Sequence, residues 1–259
     1  MDSCSVPFLA ADIAKGRGRQ NAPPRALLAG QHLEAVKVPG TGAMDAECLC
    51  CQTVSESCSW RLDYWRSPLT TIEYFYSAHS AYAYLGHQRL LEICKARGCK
   101  LVHRPFDLYP VIDAARGAQS RSFSAHYIDY FFGREITRWA QYRGLEVLNH
   151  RPTHHDHSLK LSNGFLIAAA EDDADVDALS FALLQGHWRD DIDLADPAHL
   201  RRATAHLAVD CERLLKRAEC AEIQAVHDQN TQEAIARGVF GSPTYFLDGD
   251  MYYGQDHLE

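Results

Sequence analysis

Hydrophobic and polar positions fall into a clear order only from residue 71 onward. Ile72-Glu73-Tyr74-Phe75-Tyr76 is aromatic and β-branched, which predicts a strand. Between residues 80 and 97, Ala83, Gly86, Leu90 and Ile93 recur at steps of three and four, and Leu91 and Cys94 widen the stripe. That spacing predicts a helix, stopped by Gly98. Lys100 to Phe106 reads as a second strand, ending near Pro105. Strand, helix and strand in succession are the signature of an α/β fold.

A helical block follows. Helices are predicted over Ser124–Tyr142, Leu159–Ala170 and Asp175–Gln185. Asp196-Pro197 supplies a cap and first turn for one running to about Val209, and Cys211–Ala221 reads as the next. Asn230-Thr231-Gln232-Glu233 resembles a capping box opening a short helix that Gly238 ends. Thr244–Leu247 and Met251–Tyr253 are predicted strands, and the Asp248-Gly249 between them is a strong hairpin signal. No internal repeat is visible.

Residues 1–70 lack this periodicity. They hold five of the ten prolines, five of the nine cysteines, and seven basic against seven acidic residues. Pro23-Pro24, Pro39-Gly40 and Ser67-Pro68 act as breakers. The segment reads as a disordered or loosely attached extension, or as translation of a start codon assigned too early. Cys48, Cys50, Cys51 and Cys58 do not repeat the paired spacing of zinc modules and read as incidental thiols.

The formal charge of the 259-residue chain is −8, and all of it lies beyond residue 70. An acidic balance argues against a nucleic-acid binder, and no apolar run approaches the ~20 residues that span a bilayer. With nine cysteines and no signal-peptide pattern at the start, the expected location is the cytoplasm, with thiols reduced.

Chemistry concentrates at two places. Ser77-Ala78-His79-Ser80 joins the first strand to the first helix, so Ser80 falls at a helix N-terminus. Free backbone N–H groups and the positive end of the helix dipole stabilise an anion there, a thiolate included. Ser80 is either a simple N-cap or a donor to such an anion. Near the other end, Gly241-Ser242-Pro243-Thr244 precedes the final hairpin, where a proline often fixes the turn and is sometimes cis.

These features resemble a thioredoxin-like fold with a helical insertion domain, of the DsbA and kappa type. On that resemblance residues 71–106 and 222–259 form the thioredoxin-like part and 107–221 the inserted helical domain. Ser80-Ala81-Tyr82-Ala83 stands where a thiol oxidoreductase carries C-x-x-C, and no cysteine is present there. With Arg104-Pro-Phe-Asp-Leu108, Arg138-Trp-Ala-Gln141, Gly144, Gly238-Val-Phe-Gly-Ser-Pro-Thr244 and Tyr253-Gly-Gln-Asp256, the sequence resembles the 2-hydroxychromene-2-carboxylate isomerase family, related to kappa-class glutathione transferases.

The resemblance implies glutathione as cofactor and an isomerase that acts on a small aromatic or unsaturated 2-oxo acid in aromatic degradation. Ser80 would stabilise the glutathione thiolate, Ser242 and Pro243 would face the cysteinyl part, and Gln255 and Asp256 would hold the γ-glutamyl end. Arg116 and Arg121 are candidates for the substrate carboxylate, and His79 either lines the pocket or points to solvent. His150, His154, His155 and His157, with Asp156, suit a pocket wall better than a metal site, so no metal is expected. The resemblance further implies a homodimer, and a terminal helix beyond Glu259, without which the chain is a fragment or less stable than its relatives. Two other functions remain open: a kappa-like transferase conjugating electrophiles, and an inactive thioredoxin-fold binding domain.

Overall fold

The aromatic run at Thr71–Tyr76 becomes the sheet's central strand, β1, and the remaining elements cover its two faces. The structure is a computed structural model that describes residues 70–117 and 123–259. The expected extension, its cysteine cluster and Arg121 lie outside the described residues.

Helix α1 (Ala81–Arg97) follows β1 and leads to β2 (Lys100–Pro105), which pairs with β1 in parallel. A parallel pair needs a crossover of this kind. Helix α2 (Leu108–Arg116) comes next. Then α3 (Ala125–Tyr127), a π-helical stretch (Ile128–Arg134) and α4 (Glu135–Arg143) run on as one continuous helical segment. Helices α5 (Lys160–Glu171), α6 (Val176–Asp190), α7 (Pro197–Thr204), α8 (Cys211–Ala218) and α9 (Ala221–Ala236) complete the helical block. Strands β3 (Thr244–Leu247) and β4 (Asp250–Tyr253) form the hairpin, and a 3-10 turn (Gln255–Leu258) follows. The sheet order is β2-β1-β3-β4, with β3 antiparallel to both neighbours.

Side chains on a strand alternate between faces. Ile72, Tyr74 and Tyr76 point to the larger core with α1, α5 and α6, where Tyr74 stacks on Tyr76 at 4.1 Å and on Tyr245 at 5.5 Å. Phe75 points the other way, to a smaller core with Phe106, Phe246, Val111 of α2 and Ala234 of α9. Both faces are therefore covered, and functional groups are left to the strand ends and loops. Among the described residues no helix is long and apolar enough to cross a membrane.

Three departures from the sequence reading have local causes. No element was expected between residues 106 and 124, yet α2 is there. Its Pro110 is the third helical residue, where the missing N–H forfeits no intrahelical bond. The expected cap at Asn230 or Thr231 lies inside α9, which starts at Ala221. Asn230 donates to the Pro105 carbonyl and Thr231 Oγ1 donates to the His227 carbonyl, so both serve packing and the helix interior. The predicted Ser124–Tyr142 helix is present, capped by Ser124 and closed by Gly144, but a π-helical stretch interrupts it.

Candidate functional site

Ser80 is the N-cap of α1, and its Oγ accepts the Ala83 amide at 3.2 Å. The same hydroxyl donates to the Ser242 carbonyl at 3.1 Å. The Ser242–Pro243 peptide is cis. Ser242 Oγ in turn accepts the Ser77 amide at 3.0 Å. Two segments some 160 residues apart in sequence are thus stitched together at one point.

The loop between β1 and α1 is held from both sides. Asn163 of α5 accepts the Ala78 amide at 3.3 Å through Oδ1, and its Nδ2 donates to the Phe106 carbonyl and to His227 Nε2. Trp188 Nε1 of α6 donates to the His79 carbonyl at 2.8 Å. Tyr82 O–H donates to the Phe131 carbonyl at 2.6 Å, tying α1 to the π-helical stretch. A buried polar group needs its partners, and here those partners fix the position of Ser80.

Beside Ser80 opens a cavity of about 630 Å3. Its apolar walls include Phe123, Tyr127, Phe131, Phe132, Phe240 and Tyr253. Its polar wall includes His79, Tyr109, Arg116, Asp129, Asn149, His150, Arg151 and His155. A π-helical stretch often marks a functional site, and this one supplies two of the aromatic walls.

His79 is buried and lines the cavity, which settles the choice left open by its sequence position. Its ring lies 4.5 Å from His155 and 6.1 Å from Tyr109. Burial, reinforced by the neighbouring His155, His187 and Arg151, holds its pKa well below the usual histidine range. Burial likewise lowers His155 to about 3 and His187 to about 4, so all three rings are neutral near pH 7.

Arg116 ends α2 and lines the cavity. Arg151 lines it too, but is forked onto Asp156 at 2.5 and 2.7 Å, and this pairing holds the Asp156 carboxyl at about 2. The histidine cluster divides between two faces. His150 and His155 line the cavity, whereas His157 pairs with Asp193 at 2.8 Å and His154 approaches the same carboxylate at 3.8 Å.

Three sequence candidates, Pro243, Gln255 and Asp256, sit apart from the cavity wall. Gln255 is buried, packed against Gly86 of α1, and its Oε1 accepts Arg143 at 3.0 Å. Its side chain therefore faces the core. Asp256 is exposed beside it. Conversely, Asn163, Trp188, Tyr109 and Arg151 were not singled out by the sequence. Their signal is tertiary; only His155 fell within a cluster already noticed.

The chain is similar to known proteins. A family model described as a DSBA-like thioredoxin domain matches residues 71–259. A curated relative from Sphingobium xenophagum named 2-hydroxychromene-2-carboxylate isomerase is 26% identical over 193 residues, covering 73% of this chain and 94% of that protein. One of the same name from Pseudomonas putida is 28% identical over 192 residues, covering 72% and 90%. The solved structure of a selenomethionine-labelled 2-hydroxychromene-2-carboxylate isomerase superposes with a TM-score of 0.61 at 24% identity, over 73% of this chain and 90% of that one.

Proposed function

The chain belongs to the DSBA-like thioredoxin domain family, and on that premise we propose that it is a glutathione-dependent isomerase of the 2-hydroxychromene-2-carboxylate type. The observation that carries this reading is Ser80. A hydroxyl, in place of a thiol, caps α1 at the cavity edge, 3.1 Å from the carbonyl that precedes the cis proline. The names of the two curated relatives support the same reaction class.

The residues present fit the sulfur of glutathione. A helix tip offers first-turn amides and a positive dipole end to an anion, and Ala81 and Tyr82 line the cavity there. The Ser80 hydroxyl, turned from the Ser242 carbonyl toward the cavity, adds a donor. Ser242 and Pro243 would face the peptide part. With Gln255 turned inward, Asp256 is the acidic group left for the γ-glutamyl ammonium. When bound, glutathione supplies a thiolate that adds reversibly to the conjugated carbon of an unsaturated 2-oxo acid and is regenerated after rotation about the former double bond.

The protein's own contribution is electrostatic and steric. A free thiol has a pKa near ~8.5, and a drop of ~1.5 units, worth ~2 kcal/mol, makes the thiolate the main form at pH 7. Ser80 and the tip of α1 act in that direction. Arg116 offers a cation to the substrate carboxylate, and the aromatic walls hold a planar ring away from bulk water.

Purified protein assayed with 2-hydroxychromene-2-carboxylate tests the reading. Isomerisation should require glutathione, and Ser80→Ala should lower kcat/KM by roughly a hundredfold, as loss of one preorganised donor does. Turnover independent of glutathione, or conjugation of a chlorinated nitrobenzene with no isomerisation, overturns it.

A further inference from the structure

The hydrogen-bond chain behind His155 fixes which of its nitrogens carries the proton. His187 Nδ1 lies 3.0 Å from the Ile192 carbonyl, which only accepts, so the proton of His187 sits on Nδ1. The neutral ring then has a lone pair on Nε2, which lies 3.0 Å from His155 Nδ1. His155 must therefore donate from Nδ1, and its own Nε2 is left with a lone pair. The ring lines the cavity.

His79 has the opposite polarity. Ser77 is fully buried, and its Oγ meets His79 Nδ1 at 3.0 Å. A buried hydroxyl proton with no acceptor is costly, and His79 Nδ1 is the acceptor it faces. The neutral His79 then keeps its proton on Nε2. The two rings meet edge to face at 4.5 Å in the same wall, next to Ser80.

From this wiring we infer that His79 and His155 form a complementary pair, one N–H donor and one imidazole acceptor, that recognises a hydroxyl group of the ligand. The inference rests on the cavity being the substrate site. A carboxylate satisfies the His79 donor but sets its lone pairs against that of His155. An ammonium satisfies His155 alone. A hydroxyl, phenolic or hemiketal, does both at once. The anionic end of the substrate is thereby directed away from this histidine pair and toward Arg116, which orients an aromatic hydroxy acid within the cavity.

Two measurements test this. Long-range proton–nitrogen NMR on histidine-labelled protein at pH 7, assigned with His79→Gln and His155→Gln, should show His155 protonated at Nδ1 and His79 at Nε2. Calorimetric titration with 2-hydroxycinnamate and with cinnamate should give about tenfold tighter binding of the hydroxylated acid, equivalent to ~1.4 kcal/mol. In His155→Phe, which keeps a flat ring, the preference should fall to within about twofold.

An Nε2-protonated or cationic His155, equal affinity for the two acids, absence of binding by either, or a preference that survives His155→Phe would each overturn the inference. The wild-type titration needs no variant to fold. Failure of the isomerase reading looks different: turnover without glutathione dependence, with hydroxyl preference intact.

Discussion

Ser80 caps a helix and, on the proposed function, holds a thiolate, and a substitution series separates the two. As an N-cap it satisfies the Ala83 amide, and Ser→Ala at such a site typically costs ~1 kcal/mol while Gly costs only a few tenths. On the proposed function it would also donate to the glutathione sulfur, and neither Ala nor Gly can replace that. Ser80→Ala should therefore lower the urea midpoint clearly and Ser80→Gly only slightly. Both should raise the thiol pKa of bound glutathione by a similar amount, read from the absorbance of the thiolate. If Gly restored thiol acidity along with stability, capping alone would explain the residue. Ser80 was legible in the sequence because its signal is local: a polar residue between an aromatic strand and a helical stripe. His155 was visible only as one of four histidines. Its role depends on His187 and Ile192, 32 and 37 positions away, a pairing that no local pattern encodes.

At the scale of elements, strong periodicity was legible and its interruptions were not. β1, α1, β2, the hairpin and most helices follow from their own residues. Asp248 and Gly249 take the positive φ values of 52° and 88° that Asp-Gly favours. The start of α9 and the whole of α2 were hidden because proline, asparagine and threonine normally mark boundaries. Here tertiary partners or a first-turn position absorb them. The contact between α1 and the 3-10 turn is equally non-local. A Cβ added at Gly86 would stand 2.6 Å from Gln255 Cβ and 3.4 Å from its Cα, with backbone behind it. Helix propensity alone favours alanine there by about 1 kcal/mol. The clash should win, because overpacking of this kind costs ~1–3 kcal/mol and Gln255 is also held by Arg143. Gly86→Ala should lower the thermal midpoint and speed amide exchange in residues 255–258. Unchanged exchange would mean that the turn shifts freely.

At the scale of the molecule, the fold spends its larger core and its cavity wall on neutral histidines, and this sets its response to acid. Burial lowers His87 to about 4, His187 to about 4 and His155 to about 3, and takes His79 well below its ordinary value. The unfolded chain binds protons at these rings from pH ~6.5 downward, and the folded chain refuses them. Stability must therefore fall as pH drops from 7 toward 4. Carboxylates act lower on the scale. Asp177, held below its usual range by the His103 hydrogen bond at 2.7 Å, contributes stability that is lost only as pH falls through that depressed value. Between pH 7.5 and 5 the loss is thus a histidine effect. His87 is fully buried and, on these values, accounts for about 2 kcal/mol of it. Its Nε2 donates to the Asp177 carbonyl at 3.0 Å, a bond that the side-chain amide of glutamine can replace without titrating. His87→Gln should therefore flatten the decline in urea midpoint between pH 7.5 and 5 while leaving the acid limb below pH 4 in place. A decline of unchanged slope would assign the acid sensitivity to the cavity histidines instead, and His155→Phe should then be the variant that flattens it.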